Sequence, residues 1–152
     1  RAELADALHQ VRAYTDRVLV EQRVYGRELT NAVLGDRYLP AVETFPSVEN
    51  FDYEAKYQAG GAKEVCPAEL TEEQARAVGE MALRVHKALG LAVYSRTDMI
   101  LDAEGNLWCL EANSLPGMTP TSFVPKEAAA VGISYDDLCE EIVRQSLKIK
   151  RR

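Results

Sequence analysis

Two acidic residues, an amide and an arginine stand at alternate positions in SRTDM and LEANS, two short stretches typical of β-strands. If these strands form a hairpin with an even-length loop at DAEGN, Asp98 lies opposite Glu111 and Arg96 opposite Asn113. Because side chains alternate along a strand, the four residues then project from one face. A three-residue loop would instead place Asp98 against Leu110. The other face is predicted to be core and carries Met99, Leu101, Trp108 and Leu110.

Two directly opposed carboxylates repel each other unless a positive charge lies between them. Arg96 could supply that charge within a buried salt-bridge network. Alternatively, Asp98, Glu111 and Asn113 are oxygen ligands of Mg²⁺, and Arg96 is available for a phosphoryl group or an oxyanion. Desolvating such groups without an ion is costly, which favours the metal site. Calcium and an inert site remain alternatives.

The turn SLPGMTPTS follows these polar residues directly. Gly117 would let a ligand approach its backbone N–H closely, and Thr119, Thr121 and Ser122 offer hydroxyl groups. The alternative is an ordinary hydroxyl-rich turn. Because the turn lies beside a predicted metal site, contact with the substrate is favoured over an ordinary turn.

Composition excludes several classes of function. The 152 residues include 18 Lys and Arg against 24 Asp and Glu, a net charge of −6, which argues against nucleic-acid binding and anchoring to an anionic membrane. The sequence contains no apolar run of the roughly 20 residues that span a bilayer. Three cysteines without metal spacing predict reduced, mostly buried thiols of a cytoplasmic protein. His9 and His86 are expected to be surface or half-buried helix residues, not catalytic bases.

Local patterns predict a single α+β domain over residues 1–152, with mostly antiparallel strands. A long polar segment, 46–66, is typical of a functional loop. Thr71 and Gln74 form a capping-box pattern at a helix start. Predicted helices cover 2–15, 71–90 and the region from Ser134 onward; predicted strands cover 17–24, 27–35, 38–46, 92–102 and 106–113.

Four segments occur in order along the chain: GRELTNAVLG, FDYEAKYQAGGAKEVCPAEL, SRTDM and LEANSLPGMTPTSFVPKEAAAVGISYDDLCEEIV. Together they resemble the D-alanine–D-alanine ligase family of the ATP-grasp superfamily. The resemblance implies the C-terminal ATP-grasp domain, a mostly antiparallel sheet flanked by helices. It also implies that residues 1–24 end the preceding nucleotide-binding subdomain and form the hinge, and that residues 46–66 form a mobile active-site loop.

The resemblance implies a reaction that uses ATP and two Mg²⁺ ions, for which Mn²⁺ could substitute, to phosphorylate the carboxylate of a first D-alanine. A second D-alanine then attacks the acyl phosphate. Asp98, Glu111 and Asn113 match the metal ligands of the family. Arg96 and the Gly117 N–H match the groups that stabilise the oxyanion.

Further site residues are carried over from the resemblance alone. Glu21 would meet the adenine and Glu28 the ribose. Lys56 and Tyr57 match the loop that closes over the site. Ser122 would hold the carboxylate of the second substrate, with Phe123 beside it at a position where Leu is usual. Phe51 would either pack on the nucleotide or anchor its own loop.

The glycine-rich phosphate loop of the family has no counterpart in this sequence. The chain is therefore expected to be a C-terminal half that lacks its N-terminal partner half and is inactive alone. The full-length protein would be a cytoplasmic homodimer. Three alternatives remain: a D-alanine–D-serine ligase, another ATP-grasp carboxylate–amine ligase, and a non-catalytic module that binds Mg-nucleotide.

Overall fold

The computed structural model describes residues 2–46 and 62–149, which contain four helices and six strands. In chain order these are α1 (Ala2–Arg12), β1 (Arg27–Leu34), β2 (Arg37–Tyr38), β3 (Val42–Pro46), β4 (Ala62–Val65), α2 (Glu72–Ala88), β5 (Tyr94–Leu101), β6 (Leu107–Asn113), α3 (Phe123–Ala130) and α4 (Tyr135–Ser146).

The strands form one sheet in the order β4-β3-β1-β5-β6, and β2 pairs with the end of β1. Every pairing is antiparallel, which confirms the predicted α+β class. β1 lies at the centre and pairs along its whole length with β5, from Arg27 opposite Leu101 to Leu34 opposite Tyr94. This long central pairing fixes the position of the hairpin that bears the predicted site.

Helices cover both faces of the sheet because both faces of β1 are apolar toward its end. On one face α2 packs against the sheet, and the buried cluster comprises Leu29, Val33, Ala41, Val78, Ala82, Met99 and Leu101. On the other face α3 and α4 cover one end of the sheet, and the cluster comprises Ala32, Leu34, Leu39, Val124, Ala128 and Leu138. The remainder of this second face carries the predicted site, and we call it the site face.

Four secondary-structure predictions differ from the structure. Residues 17–24 form no strand; Leu19 and Val20 are 79% and 64% exposed, so their β propensity is not supported by packing. The predicted strand 38–46 is interrupted around Pro40, which cannot donate to a ladder. Helix α3 was not predicted from the local patterns, and β4 lies within the segment predicted to be a loop.

Helix α2 begins as predicted. The Thr71 hydroxyl accepts from the backbone N–H of Gln74, and the Gln74 side chain accepts from the backbone N–H of Thr71. The helix is followed by Gly90 in the left-handed region, at φ 62°. None of the described helices is both long and apolar enough to cross a bilayer.

Two expectations about single residues need correction. His86 is not a surface residue: it is 4% exposed, its Nδ1 lies 2.7 Å from Ser95 Oγ, and burial lowers its pKa. The cysteines are free thiols, but Cys66 and Cys139 are only half-buried and Cys109 is exposed. The reason is their position on outer elements of the fold, where one side faces solvent.

Candidate active site

The hairpin of β5 and β6 pairs Asp98 with Glu111 and Arg96 with Asn113, as predicted. The loop, however, is not of even length. Leu101 pairs with Leu107, so five residues, 102–106, form the turn. A β-bulge between the turn and the site leaves Leu110 without a partner and restores the register.

The turn takes this length because Asp102 organises it. Its Oδ1 accepts from the backbone N–H groups of Glu104 and Asn106, and its Oδ2 accepts from the Trp108 indole N–H at 2.8 Å. Gly105, at φ 86°, supplies the left-handed residue that such a turn needs.

The prediction that Trp108 and Leu110 belong to the core was wrong. They are 39% and 52% exposed, whereas Met99 and Leu101 are buried as expected. Trp108 pairs with Ile100 and therefore lies on the site face, since directly paired residues share a face. The bulge accounts for the error, because it shifts the inside–outside alternation of β6 by one residue.

The Asp98 carboxylate is held from two directions. Arg96 donates to it through Nε at 2.9 Å and through Nη2 at 2.8 Å, a bidentate pair. From the neighbouring strand β1, the Thr30 hydroxyl donates to Asp98 Oδ1 at 2.6 Å. The side chains of Arg96 and Asp98 are 18% and 23% exposed, so the ion pair is shielded from solvent. The salt bridge of Arg96 that was considered from the sequence is therefore present, and its partner is Asp98.

The Arg96 guanidinium also contacts an aromatic ring. Its Cζ lies 5.5 Å from the centroid of Phe123, a cation–π distance, and Lys126 Nζ lies 6.0 Å from the same centroid. Phe123 is the first residue of α3, so the start of this helix is placed against the site. Arg96 thus connects the strand that bears Asp98 with the start of α3.

The donor set suits a hard divalent cation. The Glu111 side chain makes no hydrogen bond or ion pair to another described residue, and Glu111 is exposed on the face that Asp98 and Asn113 share. Two carboxylates and an amide present only oxygen ligands, the type that Mg²⁺ prefers. Across the described ranges, no three His, Cys, Asp or Glu side chains are grouped so that they could hold a metal ion, and the predicted site offers two carboxylates and the Asn113 amide.

The turn after β6 brings two predicted substrate-binding residues together. A Cβ on Gly117 would lie 2.9 Å from Ser122 Oγ, so only glycine fits without displacing that hydroxyl. Ser122 Oγ accepts from the backbone N–H of Thr119 and is 2.8 Å from Thr119 Oγ1. Ser122 is also the N-cap residue of α3, but its side chain does not cap the helix. The first N–H groups of α3 therefore lack this internal acceptor.

The remaining predicted residues are placed less closely. Glu28 lies on β1 opposite Ile100, on the site face, and Ile100 separates it from Trp108 on β6. Glu21 is exposed in the segment between α1 and β1, which has no regular secondary structure. Phe51, Lys56 and Tyr57 lie outside the described residues.

Sequence reasoning missed two polar residues of this region. Thr30 is 6% exposed and contacts Asp98, but in RELTNAVL it is typical of an ordinary strand residue. Glu127 is fully buried in α3, and its Oε2 accepts from the backbone N–H of Ala32 at 2.6 Å. Only the three-dimensional neighbours of these residues reveal them, since neither lies in a motif of polar residues.

Comparisons with known proteins agree with this geometry. A family model described as "D-ala D-ala ligase C-terminus" matches residues 1–144. The D-alanine–D-alanine ligase of Oleidesulfovibrio alaskensis is 48% identical over 146 residues, covering 95% of this chain and 47% of the relative. That of Clostridium beijerinckii is 41% identical over 149 residues, covering 98% of this chain and 49% of the relative. The chain spans about half the length of these relatives.

Solved structures show the same relationship. The D-alanine–D-alanine ligase from Bacillus anthracis superimposes with a TM-score of 0.85 at 35% identity, covering 97% of this chain and 49% of that one. The same enzyme complexed with ATP gives a TM-score of 0.83. The VanG D-Ala:D-Ser ligase from Enterococcus faecalis gives 0.84 at 29% identity, covering 95% of this chain and 43% of that one. The chain belongs to the D-alanine–D-alanine ligase C-terminal family, an ATP-grasp domain.

Proposed function

We propose that this chain is the C-terminal half of an ATP-dependent D-alanine–D-alanine ligase. The whole enzyme would join two D-alanines through a D-alanyl phosphate and so supply the dipeptide for peptidoglycan. The observation that carries the proposal is the cross-strand pair of Asp98 and Glu111, with Asn113 and Arg96 on the same face, in a chain of this family.

Asp98, Glu111 and Asn113 would hold Mg²⁺. When bound, the ions neutralise charge on the phosphoryl oxygens that are transferred. The three side chains belong to two paired strands, so their relative positions are set by the ladder and not by a loop. Such preorganisation keeps the cost of orienting ligands low.

Arg96 and the backbone N–H of Gly117 would stabilise the oxyanion that forms when the amine attacks the acyl phosphate. Arg96 already lies in a fixed position, held by Asp98 and the ring of Phe123. Ser122 would bind the carboxylate of the second substrate near the start of α3. Its hydroxyl lies so close to Gly117 that a Cβ on residue 117 would come within 2.9 Å of Ser122 Oγ, so the two groups would act on neighbouring parts of the substrate.

The remaining roles rest on the resemblance. Glu21 and Glu28 would bind the adenine and the ribose of ATP, and Lys56 and Tyr57 would close over the reaction and exclude water. Because the chain spans about half of its relatives, catalysis would need the upstream half of the same polypeptide. The complete enzyme would act in the cytoplasm as a homodimer.

The test is phosphate release from ATP and Mg²⁺, driven by D-alanine, D-serine or D-lactate, in this chain and in the longer polypeptide that contains it. We expect turnover with D-alanine in the longer protein and none in this chain. Absence of turnover with every D-substrate in the longer protein would contradict ligase activity. Tight Mg-nucleotide binding by this chain alone would instead favour a non-catalytic binding module.

A second candidate is a D-alanine–D-serine ligase. Two observations keep this candidate open: by the resemblance, Phe123 stands where the family usually has Leu beside the second substrate, and the chain is also similar to the VanG D-Ala:D-Ser ligase. The D-serine reactions in the same assay distinguish the two, since this candidate predicts faster mixed-dipeptide formation. Another ATP-grasp carboxylate–amine ligase would respond to neither D-amino acid.

A further inference from the structure

Among the described residues of the central strand β1, Thr30 is the one whose side chain donates a hydrogen bond to Asp98. The two residues are direct cross-strand partners, and Thr30 is 6% exposed. Their O–O distance of 2.6 Å is short, as expected when a hydroxyl donates to an ionised carboxylate. The contact is therefore a partly buried, charge-assisted hydrogen bond.

This bond determines which oxygen of Asp98 is available. A carboxylate offers about two acceptor positions on each oxygen. Oδ1 accepts from both Thr30 Oγ1 and Arg96 Nε, so its capacity is used, whereas from residues 2–46 and 62–149 Oδ2 accepts only one hydrogen bond, from Arg96 Nη2. One acceptor position on Oδ2 is left for a further ligand.

Without Thr30, Arg96 alone would orient the carboxylate. Both residues belong to the same strand, two positions apart, so Arg96 can follow Asp98 through a rotation of χ2. Thr30 lies on a different strand and is β-branched, which restricts its χ1. The Thr30 hydroxyl therefore fixes the Asp98 carboxylate relative to β1. Arg96 cannot do this, because it lies on the same strand as Asp98.

We infer that Thr30 is a positioning residue for a divalent cation: its hydroxyl fixes the Asp98 carboxylate so that Oδ2 is presented to the ion. The inference rests on the proposed function, which makes Asp98 a metal ligand. Groups that hydrogen-bond to metal ligands typically change metal affinity about 10- to 100-fold when they are removed.

The experiment measures Mn²⁺ binding to the 152-residue chain by the electron paramagnetic resonance signal of free Mn²⁺, across the millimolar range. Thr30→Val removes the hydroxyl at nearly constant volume, and Thr30→Ser retains it. We expect T30V to weaken Mn²⁺ binding about 10- to 100-fold, and T30S to stay close to the unmodified chain.

Thr97 offers a matched control. It is fully buried on the adjacent strand but faces the opposite side of the sheet, and its hydroxyl has no partner among the described residues. T97V should leave Mn²⁺ affinity unchanged. Urea denaturation of each variant separates a loss of affinity from a loss of folding.

The outcomes separate this inference from the proposed function. If the unmodified chain binds Mn²⁺ and Asp98→Asn abolishes binding, but T30V binds as well as the unmodified chain, Thr30 has only a structural role and the inference fails. If Mn²⁺ does not bind, or binds equally well to D98N, the proposed metal site fails and the inference fails with it.

Discussion

Glu127 Oε2 accepts a hydrogen bond of 2.6 Å from the backbone N–H of Ala32, and the whole Glu127 side chain is buried between α3 and the sheet. Its Oε1 has no partner among the described residues. Burial raises the pKa of Glu127 well above the usual 4.5, although the Ala32 N–H and the charge of Arg96 act in the opposite direction. Between pH 4.5 and this raised pKa, the folded chain keeps a proton on Glu127 that the unfolded chain releases.

This difference predicts how stability depends on pH. Because the folded-state pKa of Glu127 is raised, the free energy of unfolding should fall as the pH rises from about 4.5 to that folded-state pKa. One such group gives a slope of at most about 1.4 kcal/mol per pH unit. In Glu127→Gln this contribution is absent, so the variant should gain stability relative to the unmodified chain as the pH rises. Urea denaturation over a pH series measures the difference.

Glu127→Ala provides the control for the Ala32 contact. Gln keeps an oxygen acceptor for the Ala32 N–H, whereas Ala leaves that N–H buried without a partner, at a cost of about 1–3 kcal/mol. E127A should therefore be destabilised at all pH values. A stability difference between E127Q and the unmodified chain that does not change with pH would contradict a protonated Glu127.

Phe123 is expected to restrain Arg96. Phe123→Leu removes the ring that lies 5.5 Å from the guanidinium and keeps an apolar side chain, a loss of about 0.5–1 kcal/mol. We expect the Arg96 Nε–Hε resonance to shift in F123L, since the ring current is lost, and to shift little in F123Y. If the longer polypeptide has the proposed ligase activity, its kcat should fall about two- to fivefold, the same free energy expressed as a rate. A change confined to the KM of the second substrate would show that Phe123 acts on the substrate alone and does not restrain Arg96.

Trp108 reports on the turn at Asp102. It is the only tryptophan of the chain, and its indole N–H donates to Asp102 Oδ2 at 2.8 Å. This bond, followed by those from Asn106 and Glu104, lowers the pKa of Asp102 below 3.8. Stabilisation by the carboxylate is thus present above pH 3.8 and is lost as the pH falls through the lowered pKa. Trp108 fluorescence should change with a midpoint below pH 3.8, and D102N should lack this transition. Far-UV circular dichroism would reveal whether global unfolding causes the change.

The ion pair of Arg27 and Glu43 anchors the start of β1 to β3. Arg27 Nε and Nη2 donate to the two carboxylate oxygens at 2.7 and 2.5 Å, and Nη2 also donates to the Glu69 carbonyl. The Glu43 side chain is 4% exposed but that of Arg27 is 37% exposed. Arg27→Met should therefore cost about 2–3 kcal/mol, less than for a fully buried pair, because Glu43 is left buried and unpaired.

A double-mutant cycle tests the origin of that cost. Glu43→Gln removes the charge, so R27M/E43Q should be more stable than the sum of the two single changes predicts. Denaturation by urea supplies the four free energies. Additive effects would mean that Arg27 contributes through packing alone.

More of the candidate site than of the surrounding fold could be predicted from the sequence. The pairing of Asp98 with Glu111 follows from polar alternation in both strands, and the structure has that pairing. The loop length did not follow, because it depends on how Asp102 gathers donors within the turn. A bulge adds one residue without changing composition, so periodicity alone does not detect it.

Other misses have similar physical causes. Helix α3 includes Pro125 and begins directly after a turn, and Pro within the first turn of a helix conceals the pattern although it is tolerated there. Residues 17–24 show the opposite error, since β-branched residues predict a strand only where a partner strand is present. A glutamate in an alanine-rich helix is normally expected to face solvent, so the burial of Glu127 had no local signal.

Because of the bulge at Leu110, the hairpin should tolerate a deletion in β6 better than an insertion there. Twelve residues separate Asp98 from Glu111; the turn uses five, β5 three and β6 four, of which one is unpaired. Deletion of Leu110 would leave three residues on each strand and keep the two carboxylates opposed. The existing bulge cannot absorb an added residue in β6. Such an insertion would need a second bulge, or it would turn Glu111 toward the core. During evolution the hairpin can therefore lose the bulged residue and keep Asp98 opposite Glu111, whereas an insertion in β6 would disrupt this pairing.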